Sequence, residues 1–167
     1  MKADPQEVRD IIEEAITTTF STMVFSEVFP CDPDPSYFSA AATAPEAATP
    51  SERAILSAGL EMTKPFKLNL QLTLLTDQAV LVTTNLLGGE ADSTPPVAHI
   101  QDAIGELLNT IAGIMAQHFT PEGETFEISL PAISQAPPPS EDNQTVVSYF
   151  LQDDTYIFTM AVWGDAL

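Results

Sequence analysis

The stretch from Val97 to His118, VAHIQDAIGELLNTIAGIMAQH, constrains this chain more than any other, because its two sides make different and equally definite demands. At about 100° per residue, Ile100, Ile104, Leu107, Ile111, Ile114 and Met115 fall within one broad stripe, the spacing of a helix laid on a sheet. The opposite side collects Asp102, Glu106, Asn109 and Gly113, flanked by Gly105, Ala112 and Ala116. A solvated helix face is ordinarily filled with Lys, Glu, Gln and Arg, which are good helix formers; this one is small and poor in them. Each glycine costs about 1 kcal/mol against alanine in a helix interior, and a mid-helix Asn costs several tenths more. The small residues leave the backbone bare, so a second protein can come close and meet the side chains of Glu106 and Asn109. Spaced at i and i+3, those two point the same way.

The 167 residues suit one domain over 1–167, large enough to bury about 70% of its unfolded surface. No apolar run approaches the roughly 18 residues of a membrane span. The start, MKADPQEV, lacks the charged and then apolar layout of a signal peptide. A cytoplasmic protein without membrane association is therefore expected. With a single cysteine, Cys31, neither an internal disulfide nor a Cys-based zinc site can form. Five Lys and Arg against 24 Asp and Glu give a formal charge of −19, which repels nucleic acid and anionic lipid. The same balance limits the chemistry. Lys2, Arg9, Arg53, Lys64 and Lys67 are scattered, so if a phosphoryl group is the substrate, the cations that stabilise its transition state must come from a partner.

The chain opens with Asp4-Pro5-Gln6-Glu7, a helix start in which Asp caps and Pro takes the first position, and the helix runs on to Val24. Laid beside the central helix, Asp10 matches Asp102, Ile12 matches Ile104, Glu14 matches Glu106 and Met23 matches Met115, at a constant offset of 92 (102 − 10, 106 − 14). This spacing reads as an internal duplication. The first copy lacks the pair, with Thr17 at the place of Asn109 and Ser21 at that of Gly113, so Glu14 is expected to be a solvated helix residue.

Residues 29–51 are rich in Pro, Ala and Thr without apolar period and read as a long loop insertion. A strand is expected over 54–62. A second follows over 66–74, where Phe66, Leu68, Leu70, Leu72 and Leu74 alternate with polar residues. A short helix capped at Thr76 or Asp77 runs to Leu87 and ends at Gly88-Gly89. Thr94-Pro95-Pro96 starts the central helix. Beyond it come a strand over 125–131 with Phe126, Ile128 and Leu130 on one side, a Pro-rich loop over 131–143, and a hairpin of 144–151 with 156–163 across Gln152-Asp153-Asp154. Two helix-then-strands halves with short connections give an α+β fold, a mostly antiparallel sheet with the long helices on one face.

The string 102–113, DAIGELLNTIAG, resembles the signature of the CheC/CheX/FliY family of chemotaxis phosphatases, whose active helix carries Glu-x-x-Asn followed by a small-residue pair. Here these are Glu106-Leu107-Leu108-Asn109 and Ala112-Gly113. The order Gly59, Ala79, Gly88-Gly89 before the helix fits CheX-like members as well, although Leu68 stands where a second strand glycine is common. With one intact motif, the chain resembles the single-site, CheX-like kind.

The resemblance implies a duplicated CheC-like fold and dephosphorylation of a CheY-type receiver domain in bacterial chemotaxis signalling. In it, Asn109 positions the attacking water and Glu106 docks on a receiver lysine. Asp102, Gly105, Ala112 and Gly113 would form the partner-facing surface. It implies no cofactor of the chain's own, Mg²⁺ being held by the receiver, and a homodimer. An Asn carboxamide suits such a role because it offers donors and an acceptor in fixed geometry without a charge. A general-base role for Glu106 is the less attractive alternative, since an exposed carboxylate near its ordinary pKa of about 4.3 is a poor base for water. The alternative function is a non-catalytic CheC-like module that binds receivers or the flagellar switch. His118 reads as a packing or C-terminal charge residue, and His99 stands alone, so no metal site is expected.

Overall fold

The computed structural model describes residues 4–32, 54–89, 93–140, 144–151 and 157–165. Most of the 29–51 loop, the connector at 90–92 and the hairpin turn at 152–154 lie outside them. Helix α1 spans Pro5–Thr19, and its Asp4 cap forms as expected, accepting a hydrogen bond from the Gln6 N–H at 2.8 Å. Its last turn, Phe20–Val24, widens into a π-helix that stops at Phe25, whose φ of 56° is left-handed. Phe20 is fixed there by stacking on Phe158, with ring centroids 4.7 Å apart. Strands β1 (Val28–Cys31), β2 (Ile55–Lys64) and β3 (Leu68–Leu75) follow, then helix α2 (Thr76–Leu86) and the central helix α3 (Val97–Phe119). The chain ends with β4 (Glu127–Ile128), β5 (Ala132–Ser134), β6 (Gln144–Leu151) and β7 (Ile157–Gly164).

The strands form one sheet in the order β1-β6-β7-β3-β2-β4, with β5 also on β2, and every pairing is antiparallel. Exchanging the two halves of the chain turns this order into its own reverse: β1 takes the place of β4 and β5, β6 that of β2, and β7 that of β3. Each half lends its short strand to the long strand of the other half. The duplication read from the helices is therefore matched by the strand order, although the long strands repeat at an offset of 89 (144 − 55, 157 − 68).

Leu68, Leu70, Leu72 and Leu74 point into one continuous core with Ile12, Ile16 and Phe20 of α1 and Ile104, Leu107 and Ile111 of α3. Alternation on β3 thus puts its apolar side under the helices. The other side is polar and partly covered. Ser57 donates to the Ala136 carbonyl at 2.6 Å, and Gln71 donates to that of Pro137 at 3.0 Å, which holds residues 136–137 across the sheet.

Several boundaries differ from expectation. Phe29–Cys31 belongs to a strand, not a loop, because β6 offers it a partner edge: Pro30 sits opposite Tyr149, on an edge strand where its missing N–H is not needed. The strand expected over 125–131 shrinks to Glu127–Ile128, leaving Leu130 exposed, and the following loop contains β5, which pairs with Ser57–Gly59. Thr76 does not cap α2. Its hydroxyl ties the helix start to β2 through the Ala54 carbonyl at 2.7 Å, while the Gln78 side chain accepts from the Leu75 N–H at 2.7 Å. Among the described residues no helix is long and apolar enough to cross a membrane.

The Tyr149 ring stacks on Phe158, but its hydroxyl is buried without a hydrogen-bond partner among the described residues, and burial pushes the phenol above its ordinary range. An unsatisfied buried hydroxyl costs about 1–3 kcal/mol. Tyr149→Phe is therefore expected to leave stability unchanged or raise it by up to about 1 kcal/mol in urea unfolding.

Candidate functional site

Helix α3 is buried on more of its circumference than the six-residue stripe alone requires. Ile100, Ile104, Leu107, Ile111 and Met115 are buried as expected, Ile114 is half-buried, and Ala103, Gly105, Leu108, Ala112 and Ala116 are buried too. The reason lies in what surrounds the helix. The sheet supports one side, α1 and α2 pack alongside, and Pro131, between β4 and β5, closes against Gly105.

Between Asp102 and Ala116, what stays open to solvent is a narrow ridge. Asp102 and Glu106 are exposed, and Asn109 and Gly113 are half-exposed. Among the described residues, neither the Glu106 carboxylate nor the Asn109 carboxamide has a hydrogen bond or ion pair. Two polar side chains one turn apart, without a partner among the described residues, are available to another molecule.

The small residues divide into two kinds. Gly105 and Ala112, expected on a partner-facing surface, are covered by this chain itself. A Cβ on Gly105 would lie 3.5 Å from that of Pro131, and Ala112 is only 2% exposed within the core cluster. Both face this chain's own packing, although a Cβ at 105 would make no more than an ordinary van der Waals contact. Gly113 is different, since a Cβ there would meet nothing within 4 Å. Nothing in the fold requires glycine at that position, although it weakens the helix. Gly113→Ala is therefore expected to stabilise the fold by up to about 1 kcal/mol in denaturant unfolding. Were the residue small only for the sake of the fold, the substitution would destabilise instead.

Among the described residues, two of the cations are engaged with carboxylates away from this helix. Lys64 pairs with Glu127 at 2.6 Å and Lys67 with Glu61 at 2.8 Å, around the turn between β2 and β3. His118, at the end of α3, places Nε2 3.6 Å from Glu14 of α1, so Glu14 is exposed as expected but not without a neighbour. Among the described residues no three His, Cys, Asp or Glu side chains gather as a metal-ligand set. Sequence reasoning missed Pro131, the residue that fixes the edge of the ridge. Nothing in the sequence links it to Gly105, 26 residues away at 131 − 105, where a Cβ would only touch it at ordinary contact distance.

The family model described as "Chemotaxis phosphatase CheX" matches residues 56–151, more than half of the chain and including the whole of α3. The chain belongs to the CheX family. Solved structures agree in fold. The chemotaxis protein CheX of Desulfovibrio desulfuricans superposes with a TM-score of 0.68 at 18% identity, over 95% of this chain and 99% of that one. CheX of Vibrio vulnificus gives 0.69 at 14% identity, over 98% and 100%. CheX of Borrelia burgdorferi, solved as a CheX–CheY–BeF₃–Mg²⁺ complex, gives 0.63 at 14% identity, over 92% and 95%. A comparison with curated protein sequences finds no match. At these identities the likeness carries the α+β fold, and in this CheX family member the ridge of α3 is the surface whose chemistry has to be explained.

Proposed function

We propose that this chain is a phosphatase that hydrolyses the aspartyl phosphate of a CheY-type receiver domain in chemotaxis signalling. The observation that carries the reading is the ridge itself: an exposed Glu106 and a half-exposed Asn109, both without a partner among the described residues, on the central helix of a CheX family member. In the proposed complex Asn109 enters the receiver's site. Its carboxamide oxygen accepts a hydrogen bond from a water, its N–H group can donate to the water or the phosphoryl oxygens, and the water is aligned with phosphorus opposite the aspartyl oxygen. This is catalysis by orientation, with no covalent intermediate on the enzyme. The water's oxygen forms the new bond to phosphorus, the bond to the aspartyl oxygen breaks, and the receiver's carboxylate is regenerated.

Glu106 pairs with a receiver lysine and sets the register of docking. With 24 acidic side chains and five basic ones, the enzyme leaves charge stabilisation to the receiver's Mg²⁺ and lysine, which suits a division of labour between two proteins. The Borrelia relative, seen with CheY, beryllofluoride and Mg²⁺, supports a receiver as the partner class. The test is direct: loss of phosphate from a phosphorylated receiver, with and without this protein. If the receiver's own rate is unchanged at saturating enzyme, the reading fails.

A further inference from the structure

We propose that the sheet face turned away from the helices binds an extended proline-rich peptide, in a groove between Leu130 and Trp163. The inference does not rest on the phosphatase reading, because it uses the opposite face of the sheet from α3. Alternation on β3 sends Leu68, Leu70, Leu72 and Leu74 to the helices and Asn69 and Gln71 to the other side. Across the ladder, Gly59 of β2 stands opposite Gln71, and Trp163 of β7 stands opposite Asn69. These residues line a groove of about 360 Å³, which Leu130 walls beyond β2. Leu130 is 89% exposed yet held in place, since the Ser129 N–H donates to the Glu61 carbonyl at 2.8 Å and the Glu61 N–H to the Ser129 hydroxyl at 2.9 Å.

The same face already holds a segment of this kind. Residues 136–139 read Ala-Pro-Pro-Pro, and the carbonyls of Ala136 and Pro137 accept from Ser57 of β2 at 2.6 Å and from Gln71 of β3 at 3.0 Å. The segment thus runs across the strands, and the sheet holds it by its carbonyls. The reason lies in what a sheet face can offer. Its backbone N–H and C=O groups are spent in the ladder, so a chain lying on it meets side chains alone. A proline-rich chain asks only for donors there, because proline has no N–H to satisfy and its extended helix makes no internal hydrogen bonds.

The groove offers the same terms beside that segment. Asn69 spends one amide N–H on the Trp163 carbonyl at 3.5 Å, and the Trp163 indole N–H has no acceptor among the described residues, so each has a proton to donate to a peptide carbonyl. The Trp163 ring and the Leu130 side chain supply the apolar walls on which prolyl rings pack. Gly59 keeps the floor low. A Cβ there would meet nothing nearer than the Leu70 carbonyl oxygen at 3.7 Å, so packing does not demand glycine at this position. From β2 to β7 the floor spans three strands, about 10 Å, which matches one three-residue turn of a polyproline helix at about 3.1 Å per residue.

The experiment is a titration of the full chain with octaproline, followed by the emission of Trp163, the single tryptophan of the chain, with a Gly-Ser peptide of the same length as control. A saturable shift is expected with octaproline and none with the control. Leu130→Glu replaces an exposed wall, and Gly59→Ala raises the floor where the fold has room for a methyl group. Each is expected to weaken binding by about fivefold or more, with phosphate release from a receiver unchanged. Three results overturn the proposal: no saturable shift, an equal shift with the control peptide, or a midpoint that either variant leaves in place. A chain that binds octaproline in this way but leaves a phosphorylated receiver untouched keeps the groove and sinks the phosphatase reading.

Discussion

Asn109→Ala is expected to slow phosphate release from a phosphorylated receiver by on the order of 10²-fold, because a water that is no longer held in line loses the advantage of orientation. The loss should fall on kcat, with KM for the receiver changed little, since the carboxamide acts on the water rather than on the docking surface. The fold should be indifferent. Asn109 is half-exposed, makes no hydrogen bond within the described chain, and is a poorer helix former than alanine, so unfolding free energy should stay the same or rise by a few tenths of a kcal/mol. A single-turnover measurement with excess enzyme separates the two effects. An unchanged rate would remove Asn109 from the chemistry, and a variant that loses binding and rate together would make it a docking residue. Asn109→Gln offers the same groups on a side chain one methylene longer, so a partial loss is expected if position is what matters.

How much of this was legible beforehand depended on whether a segment carried its own period. Leu68 to Leu74 alternate without interruption, and they form β3 with that side buried. The central helix was equally clear, because its apolar spacing persists for six turns, although its start differs from the reading: the helix begins at Val97, with Pro96 at the cap position and no side-chain cap. Elements that exist only because a partner strand waits for them were not legible. Phe29–Cys31 and Ala132–Ser134 are short, lie next to prolines and have no apolar alternation, yet they are the strands that each half exchanges with the other. Their pairing is a consequence of the duplication, which the helices announced through their offset but the strands did not.

The site divides along the same line. Glu106 and Asn109 were singled out by type and spacing, and the structure shows that both reach solvent. Gly105 and Ala112, read as partner-facing, are buried in this chain, because a small residue in a helix admits either a partner or the protein's own packing, and the sequence does not say which. Gly113 can be told apart from Gly105 only by the space around it. Alanine at 113 should stabilise the free chain, and any loss of receiver affinity in that variant would come from the complex alone.

Glu106→Arg should raise KM for the receiver by at least about tenfold while leaving kcat at saturation near the wild-type value. Glu106 is exposed on the helix, so its reversal should alter unfolding free energy by no more than about 0.5 kcal/mol, and the change can be read as a change in docking. In the proposed complex the substitution replaces attraction to a receiver lysine by repulsion from it. The sign of the salt dependence then separates this from a general loss of surface quality. Added salt screens an attraction in wild type, raising KM, and screens a repulsion in the variant, lowering it. Glu106→Gln sharpens the assignment further. A docking carboxylate loses only its charge, so KM rises by less than in the arginine variant and kcat is kept. A carboxylate acting as general base would instead lose kcat with the glutamine while KM stayed in place. Opposite salt slopes together with a preserved kcat would place Glu106 at the interface and leave the alignment of water to Asn109.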